Sequence, residues 1–180
     1  RPEDFNDYDF ATTAKPEDML RICAEKPWTV IPTGIAHGTV TILYNQKLVG
    51  EFTTLRRDLE HDGRHATTDF TDVSWEEDAK RRDLTVNALF LGKKGELYDY
   101  VGGRRDLEDR ILRFVGYPSQ RIEEDTLRAL RFLRFLSQLP SFTADQDSLK
   151  TALKTPQTAI AKLSRERIAG EWFKLLKGEG

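Results

Sequence analysis

Residues 39–55, TVTILYNQKLVGEFTTL, decide the fold that the sequence predicts. Two runs rich in β-branched and aromatic residues flank Asn45-Gln46, so a β-hairpin is expected with its turn at these two residues. The opening run DYDFATTA (residues 7–14) and the run WTVIPTG (residues 28–34), which ends at a proline and a glycine, predict two further strands. The first part of the chain is therefore expected to contain a sheet.

Helices and shorter strands are predicted around this hairpin. Pro16 and the EDMLRICAE that follows it predict a short helix, because proline and acidic residues suit the first helical turn. The polar run at residues 56–71 predicts a long loop. Ser74-Trp75-Glu76-Glu77 is a capping box, so a second helix is expected to begin there. Three further strands are predicted at residues 85–92, 95–100 and 111–116.

The composition changes at about Pro118, where helical patterns begin. PSQRIEEDTLRALRFLRFLSQL, residues 118–139, has apolar residues at close to helical spacing and predicts one long helix. Two shorter helices are expected at about residues 145–154 and 157–177. The predicted fold class is α+β, with a mixed sheet and its flanking helices at residues 1–116 and an all-helical part at residues 117–180.

The composition excludes several classes of protein. With 180 residues, of which 38% are hydrophobic and 32% charged, the chain can bury the core of one globular domain with a small appendage. The single cysteine, Cys23, excludes an internal disulfide, and no apolar run approaches the roughly 18 to 20 residues of a membrane span. The protein is expected to be soluble and cytoplasmic, with no membrane partner and an organelle as the alternative location.

The formal net charge of -2 predicts no attraction of the whole molecule to a polyanion. Any nucleic-acid binding must then come from local basic clusters. The sequence contains such clusters at Lys80-Arg81-Arg82, at Arg104-Arg105, and in the series Arg121, Arg128, Arg131 and Arg134.

Asp7 and Asp9 flank one aromatic residue in the opening run. In a strand, residues two apart point to the same face, so these carboxylates would repel each other unless a cation sits between them. Asn6-Asp7 also suits a solvated turn, so a metal site and a turn stay alternatives. Asp145 and Asp147 have the same spacing but precede an apolar pattern, which predicts the first turn of a helix. Spacing alone therefore does not identify a metal site.

Glu51 is a third acid, on a strand that would lie near the opening one if the hairpin joins the same sheet. Acids on adjacent strands that hold two metal ions about 4 Å apart are a common means of in-line nucleotidyl transfer. Magnesium is the expected metal, because the candidate ligands are hard oxygens and the histidines, His37, His61 and His65, are scattered along the chain.

The run KRRDLTVN, residues 80–87, combines basic, acidic and amide residues and has two interpretations. It can bind a nucleotide, with arginine on the phosphates and Asp83 or Asn87 on ribose hydroxyls. It can equally be the cation-rich carboxyl end of a helix, which the helix dipole favours. Both interpretations stay open.

Asp125 and Arg128 are three residues apart in the predicted long helix, and Arg131 and Arg134 continue the row. One interpretation is a surface stripe of ion pairs, which contributes little stability. Another is base recognition, because a carboxylate accepts from an exocyclic amine and a guanidinium donates to a ring acceptor. Such a pair would accept cytosine or adenine and refuse uracil and guanine. The later arginines would suit phosphates.

The quoted motifs belong to seven segments that follow one another in a fixed order. They are DYDFATTA, IPTGIAHGTVTILY, EFTTLRRD, DGRHA, EEDAKRRDLTVNALF, LYDYVGGRRDLEDRILRFVG and RIEEDTLRALRFLRF. This ordered set, over about residues 5–136, resembles class II tRNA nucleotidyltransferases, the CCA-adding enzymes, and their bacterial poly(A) polymerase relatives. LSRERIAGEW, residues 163–172, extends the resemblance weakly. The resemblance implies a polymerase-β-like nucleotidyltransferase head, or palm, at residues 1–116 and an all-α neck at residues 117–180.

The resemblance also implies roles for the candidate residues. Asp7 and Asp9 would bind Mg²⁺, and Glu51 would be a third catalytic carboxylate. Arg82 would bind the incoming nucleotide, with Asp83 and Asn87 near its ribose. Asp125 and Arg128 would select CTP and then ATP, and Arg131 and Arg134 would extend the nucleotide site. Arg56, Asp58, Arg64 and His65 would belong to a flexible loop used to progress from C to A addition.

Two departures from the family pattern affect the expected function. Family members carry GG-x-x-R-D upstream of the aspartates and continue past the neck into domains that bind tRNA, whereas here Asp7 is almost at the terminus and the sequence ends at Gly180. A fragment, or a protein completed by a partner, is therefore expected. The expected function is template-independent addition of C and A to the tRNA 3′ end from CTP and ATP with Mg²⁺. The alternatives are poly(A) polymerase and a catalytically incompetent module that binds nucleotide or RNA.

Overall fold

The computed structural model of the protein describes residues 8–59 and 68–177. Its strands are β1 Asp9–Thr12, β2 Trp28–Gly34, β3 Thr39–Tyr44, β4 Lys47–Thr54, β5 Arg57–Asp58, β6 Thr68–Asp69, β7 Leu89–Leu91, β8 Leu97–Asp99, β9 Ile111–Leu112 and β10 Thr143–Ala144. Its helices are α1 Pro16–Ala24, α2 Trp75–Lys80, α3 Gly103–Glu108, α4 Pro118–Glu124, α5 Leu127–Gln138, α6 Gln146–Leu153, α7 Gln157–Ile160 and α8 Arg165–Lys177. The chain divides into two compact units, Arg1–Asp78 and Ala79–Gly180.

The first unit is built on a four-stranded sheet in the order β1-β4-β3-β2. Strands β2, β3 and β4 are antiparallel neighbours, whereas β1 pairs with β4 in parallel. Asn45 and Gln46 form the turn between β3 and β4 with φ of 49° and 62°. Positive φ at both turn residues is typical of two-residue hairpins, because it matches the twist of the strands. The structure confirms the α+β class, the predicted hairpin and the opening strand beside it.

Helix α1 packs on one face of this sheet. Met19 and Cys23 of α1 form a buried core with Val40 and Ile42 of β3, and Phe52 of β4 packs against it. Side chains alternate between the two faces along a strand, so the residues next to these in sequence point to the opposite face. That face carries Asp9 of β1, Thr41 of β3 and Glu51 of β4, which are register neighbours.

The segment between β4 and α2 contains a short antiparallel ladder, β5 with β6, where the sequence predicted only a loop. Residues 60–67 lie outside the described residues. The predicted capping box is confirmed at the start of α2: Ser74 Oγ accepts from the Glu77 N–H at 3.2 Å, and Glu77 Oε2 accepts from the Ser74 N–H at 2.9 Å.

The second unit has its own hydrophobic core. Leu84, Phe114 and Phe132 are fully buried within it, and the rings of Phe114 and Phe132 stack with centroids 4.9 Å apart. Residues from both sides of residue 116 therefore share one core. The head–neck boundary predicted between residues 116 and 117 is a different division from the one after Asp78, and it stays a prediction. Among the described residues, no helix combines the length and apolar composition that crossing a membrane requires.

A hydrogen-bond network holds the segment that follows α2 in this unit. The Thr85 N–H donates to Arg113 O at 3.0 Å, and the Thr85 hydroxyl donates to Asp106 Oδ2 at 2.7 Å. Gly103 packs against the same segment so closely that a Cβ there would lie 2.1 Å from the Thr85 carbonyl oxygen. Contacts on both sides thus hold residues 83–87 in place. The strand predicted at residues 85–92 begins only at Leu89, because residues 85–87 form a 3₁₀ turn.

The single long helix predicted at residues 118–139 is wrong, because α4 ends at Glu124 and α5 begins at Leu127. Asp125 between them has an extended backbone with φ -152° and ψ 103°, and its Oδ1 accepts from the Leu127 N–H at 3.1 Å. Aspartate competes for backbone N–H groups in this way and favours helix ends over helix interiors. The helix predicted at residues 157–177 is likewise divided, into α7 and α8.

The helix start predicted at Asp145 is confirmed. Its side chain caps α6 by accepting from the Ser148 N–H at 3.1 Å. Asp145-Gln146-Asp147 is therefore a capping motif, as its spacing before an apolar pattern predicted.

Candidate functional site

Two of the predicted catalytic acids are neighbours across the parallel strands β1 and β4. Asp9 is the register partner of Glu51, and the Glu51 N–H donates to Tyr8 O at 2.8 Å. Register partners on adjacent strands point to the same face of a sheet, so the two side chains are direct neighbours there. The proximity of these strands, expected from the sequence, is confirmed. Asp7, the other predicted metal ligand, lies outside the described residues.

The surroundings of this acidic pair suit a divalent cation. Thr41 of β3, also in register with Glu51, donates its hydroxyl to Glu51 Oε1 at 3.5 Å. Within residues 8–59 and 68–177, no basic side chain forms an ion pair with Asp9 or Glu51. Mg²⁺ is commonly bound by one or two carboxylates together with substrate phosphates, so these oxygens fit it. The described residues contain no cluster of three or more metal-binding side chains.

In the second unit, Asp83 is a buried carboxylate with two protein partners. Its Oδ1 accepts from the Leu84 N–H at 2.9 Å, and its Oδ2 accepts from Arg131 Nε at 2.7 Å. Burial acts to raise the pKa of Asp83, but the charge and hydrogen bond of Arg131, together with the Leu84 N–H and the charge of Arg128, hold that pKa below its usual value. Asp83 and Arg131, which the sequence predicted for one nucleotide site, are therefore brought together as an ion pair.

Arg82 and Asn87 lie at the two ends of the turn that follows α2. Arg82 Nη1 donates to the carbonyl oxygen of Asn87 at 3.1 Å, and its guanidinium lies 4.9 Å from the ring centroid of Phe90. Lys80 occupies the last turn of α2, as the helix-end interpretation of this run requires. Arg82 and Asp83 lie beyond that helix, and their contact with a nucleotide stays a prediction.

Arg128 connects three parts of the second unit. Its Nη1 donates to Glu124 Oε2 at 2.5 Å and to Arg121 O at 3.2 Å, and its Nη2 donates to Arg81 O at 2.8 Å. The side chain is only 13% exposed. It therefore joins α5 to α4 and to the segment after α2.

Asp125 has a different partner from Arg128. Its Oδ2 lies 2.7 Å from Arg167 Nη2 of α8, and both side chains are partly exposed. The structure therefore places Asp125 and Arg128 at the junction of α4 and α5, each paired with another residue and not with each other.

Arg134 is the most enclosed of the predicted phosphate-binding arginines. Its Nε donates to Glu171 Oε2 at 2.6 Å and its Nη1 to Gln138 Oε1 at 2.7 Å. The guanidinium also lies over the ring of Phe135, 4.1 Å from its centroid. Its contact with phosphate stays a prediction.

Arg56 and Asp58, two of the predicted loop residues, lie at the start of the segment between β4 and α2. Arg56 Nη1 donates to His37 O at 2.5 Å, and Arg56 Nε lies 3.4 Å from Asp58 Oδ1. The Arg56 N–H donates to Asp78 Oδ1 at 3.2 Å. Arg64 and His65 lie outside the described residues.

Three acidic or basic residues of this region were not singled out from the sequence: Glu124, Arg167 and Glu171. Each is the ion-pair partner of a predicted site residue. The available signal was the segment LSRERIAGEW, where Arg167 and Glu171 are four residues apart and thus share one face of a helix. Their partners could not be read from that spacing.

The comparisons with known proteins identify the family. Residues 2–113 match the poly A polymerase head domain. The chain belongs to this family. Within it, the chain is 43% identical over 180 residues to the CCA tRNA nucleotidyltransferase 1, mitochondrial, of Danio rerio, a match that covers 99% of this chain and 41% of that protein. It is 39% identical over 177 residues to the CCA-adding enzyme of Bacillus licheniformis, covering 98% of this chain and 43% of that protein.

A solved structure of the same family has the same fold. The CCA-adding enzyme of Bacillus stearothermophilus in complex with CTP superposes with a TM-score of 0.80 and 38% identity, over 94% of this chain and 39% of that one. The chain thus spans about two fifths of the length of the relatives it matches.

Proposed function

We propose that the protein adds C and A to the 3′ end of tRNA from CTP and ATP, without a nucleic-acid template. The register pairing of Asp9 with Glu51 carries this proposal, because it sets two carboxylates without a basic partner in the described residues side by side on one face of a sheet. The relatives at about 40% identity are named for CCA addition, and one structure has CTP bound.

The reaction joins the 3′-hydroxyl oxygen of the tRNA to the α-phosphorus of the nucleotide and releases pyrophosphate. Asp9 and Glu51, with Asp7, would hold Mg²⁺, which would lower the pKa of the attacking hydroxyl and neutralise the charge that develops on the phosphate. The register pairing keeps the Asp9 and Glu51 side chains side by side, where they would hold this metal, and the Thr41 hydroxyl restrains one Glu51 oxygen.

Base selection is assigned to Asp125 and Arg128, which keep free hydrogen-bonding capacity. Each oxygen of a carboxylate has two lone pairs, so Asp125 can accept from a base amine while it keeps its bonds to Leu127 and Arg167. A guanidinium has five N–H donors, and Arg128 uses three of them on protein oxygens. Cytosine and adenine, which offer an amine beside a ring acceptor, match these two groups, whereas uracil and guanine leave them unpaired.

The remaining candidates would bind the rest of the nucleotide. Arg82 would contact phosphates, Asp83 and Asn87 would lie near the ribose, and Arg131 and Arg134 would extend the site. Because Arg131 and Arg134 are already paired with acids, they would act mainly by keeping Asp83 and Glu171 in place. The proposed cytoplasmic location has a mitochondrial alternative, since the Danio rerio relative is named as a mitochondrial protein.

The decisive assay supplies a tRNA that lacks its terminal CCA, with CTP, ATP and Mg²⁺, and resolves the products at single-nucleotide length. The protein is assayed beside the full product of its reading frame. Addition of C, C and A followed by arrest supports the proposal. Addition of A alone to no fixed length supports poly(A) polymerase, which the family name favours as the second candidate. Calorimetric binding of CTP and ATP without product identifies a catalytically incompetent module.

A further inference from the structure

Helix α8 carries two charged side chains, one paired just before α5 and one paired within α5. Arg167 Nη2 lies 2.7 Å from Asp125 Oδ2, just before α5 begins, and Glu171 Oε2 lies 2.6 Å from Arg134 Nε in its middle. Residues four apart share one face of a helix, so both contacts come from one face of α8. No role has been given so far to Arg167, although it is the ion-pair partner of the base-selecting carboxylate.

The position of Asp125 makes its side chain dependent on these contacts. It lies in the extended interruption between α4 and α5, where its backbone N–H donates to Arg121 O and its carbonyl oxygen accepts from the Arg128 N–H, so the side chain is oriented by its own contacts. Its Oδ1 accepts from the Leu127 N–H at 3.1 Å, and its Oδ2 is held by Arg167. One hydrogen bond on each oxygen fixes the plane of a carboxylate, whereas a single one leaves rotation about the Cβ–Cγ bond open.

We propose that Arg167 is a positioning residue for base selection, acting through Asp125. This inference rests on the proposed function, because it assigns Arg167 to the same site. By holding Oδ2, Arg167 fixes the directions of the carboxylate's remaining lone pairs, one of which would accept from the exocyclic amine of cytosine or adenine. Discrimination between an amine and a carbonyl depends on that direction, since the wrong base is refused by unpaired polar groups at fixed positions.

The chain offers a matched control on the same helix. Arg165 is exposed, lies two residues from Arg167, and has no ion pair within the part of the chain that the structure describes. Arg165→Gln removes the same charge as Arg167→Gln without removing a contact to Asp125. Arg167→Lys keeps the charge but replaces the planar guanidinium with a single ammonium group.

The experiment measures kcat/KM for CTP and for UTP on a tRNA that lacks CCA, for the protein and these three variants. In Arg167→Gln, the CTP/UTP ratio of kcat/KM is expected to fall about fivefold, because the value for CTP falls and that for UTP does not. Arg167→Lys should restore part of the ratio, and Arg165→Gln should leave it unchanged. Thermal unfolding of each variant identifies any that does not fold.

Two results would overturn the inference. If Arg167→Gln folds and keeps the ratio of the unaltered protein, Arg167 does not position Asp125 for selection. If CTP and UTP lose kcat/KM to the same extent, its role is structural only. A failure of the proposed function is seen separately, because the unaltered protein would then show no preference for CTP over UTP, and the inference would fall with it.

Discussion

The acidic pair of the sheet and the arginines of α5 are both clusters of charge, but they are neutralised in different ways. Within the described residues, Asp9 and Glu51 have no basic partner, whereas Arg128, Arg131 and Arg134 each contact an acid. A bound cation relieves the repulsion within an acidic pair of this kind. An arginine already paired with an acid can bind a further group only through its spare N–H donors. The first region is therefore suited to binding a metal ion. The second is suited to presenting N–H donors in fixed positions.

The two regions should also respond differently to the loss of one member. Removing an acid from an unneutralised pair relieves repulsion and leaves nothing unpaired. Removing an acid from a buried ion pair leaves a charge without a partner in a place where water cannot replace it. Loss of one acid from the first region is thus expected to reduce activity without reducing stability. In the second region, a loss that affects function is expected to reduce stability as well.

The largest effect is expected from Asp9→Ala. We expect transfer to fall by about a thousandfold or more, because a metal ligand is lost, while the melting temperature stays unchanged or rises as repulsion with Glu51 is relieved. Nucleotide addition and thermal unfolding are measured on the same preparation. Asp147→Ala, an exposed acid in the first turn of α6, should leave transfer intact. Full activity in Asp9→Ala would remove Asp9 from the metal site.

Glu171→Ala is expected to have the opposite pattern. The Arg134 and Glu171 side chains are only 10% and 8% exposed, so loss of the carboxylate leaves a buried guanidinium with one fewer partner. We expect the free energy of unfolding to fall by about 3 kcal/mol, measured by denaturant titration. Arg105→Ala serves as the control, because Arg105 is 87% exposed beside Asp109 and its ion pair contributes little. Equal stability of the two variants would show that the buried pair does not stabilise α8 against α5.

Arg128→Ala tests the donor side of base selection. It removes the guanidinium that is assigned to the ring acceptor of cytosine and adenine, so discrimination against UTP should fall about tenfold. Its contacts to Glu124 and Arg81 also join α5 to its neighbours, so the melting temperature should fall as well. The ratio of CTP to UTP incorporation separates the two effects, with Arg104→Ala as an exposed arginine control. An unchanged ratio would assign Arg128 to structure alone.

The smallest effect is expected from acid titration of Asp83. Its pKa in the folded protein lies below that of an unfolded aspartate, about 3.9, because of its ion pair with Arg131. The folded state therefore binds fewer protons than the unfolded state as the pH falls through this range, so the pair stabilises the protein above about pH 4 and this stability is lost below it. Melting temperatures between pH 7 and pH 3 should show the loss. In Asp83→Asn the protein should melt lower at pH 7 and this part of the profile should be flatter.

Local features of the structure could be predicted from the sequence. The hairpin at Asn45-Gln46 and the capping box at Ser74 depend on residues that are close in the chain, so composition and spacing were sufficient. The interruption at Asp125 was missed because the apolar pattern continues from Ile122 to Leu127 as if the helix were unbroken. Only the capping chemistry of the aspartate marked the break.

The sequence could predict which residues belong to the candidate site, but not how its acids and arginines pair. Arg131 and Asp83 are 48 residues apart, and Arg134 and Glu171 are 37 residues apart. No local pattern specifies which acid meets which arginine over such separations. The sequence therefore indicated the arginine row, with ion pairs as one interpretation, but not which acid would neutralise each arginine.

The parallel pairing of β1 with β4 has a consequence for how the protein folds. The β3–β4 hairpin is local and can form early, but β1 reaches β4 only after a loop of about 40 residues has closed, at an entropic cost that local contacts do not face. Asp9 and Glu51, the proposed metal ligands, are thus brought together only when this long-range pairing forms.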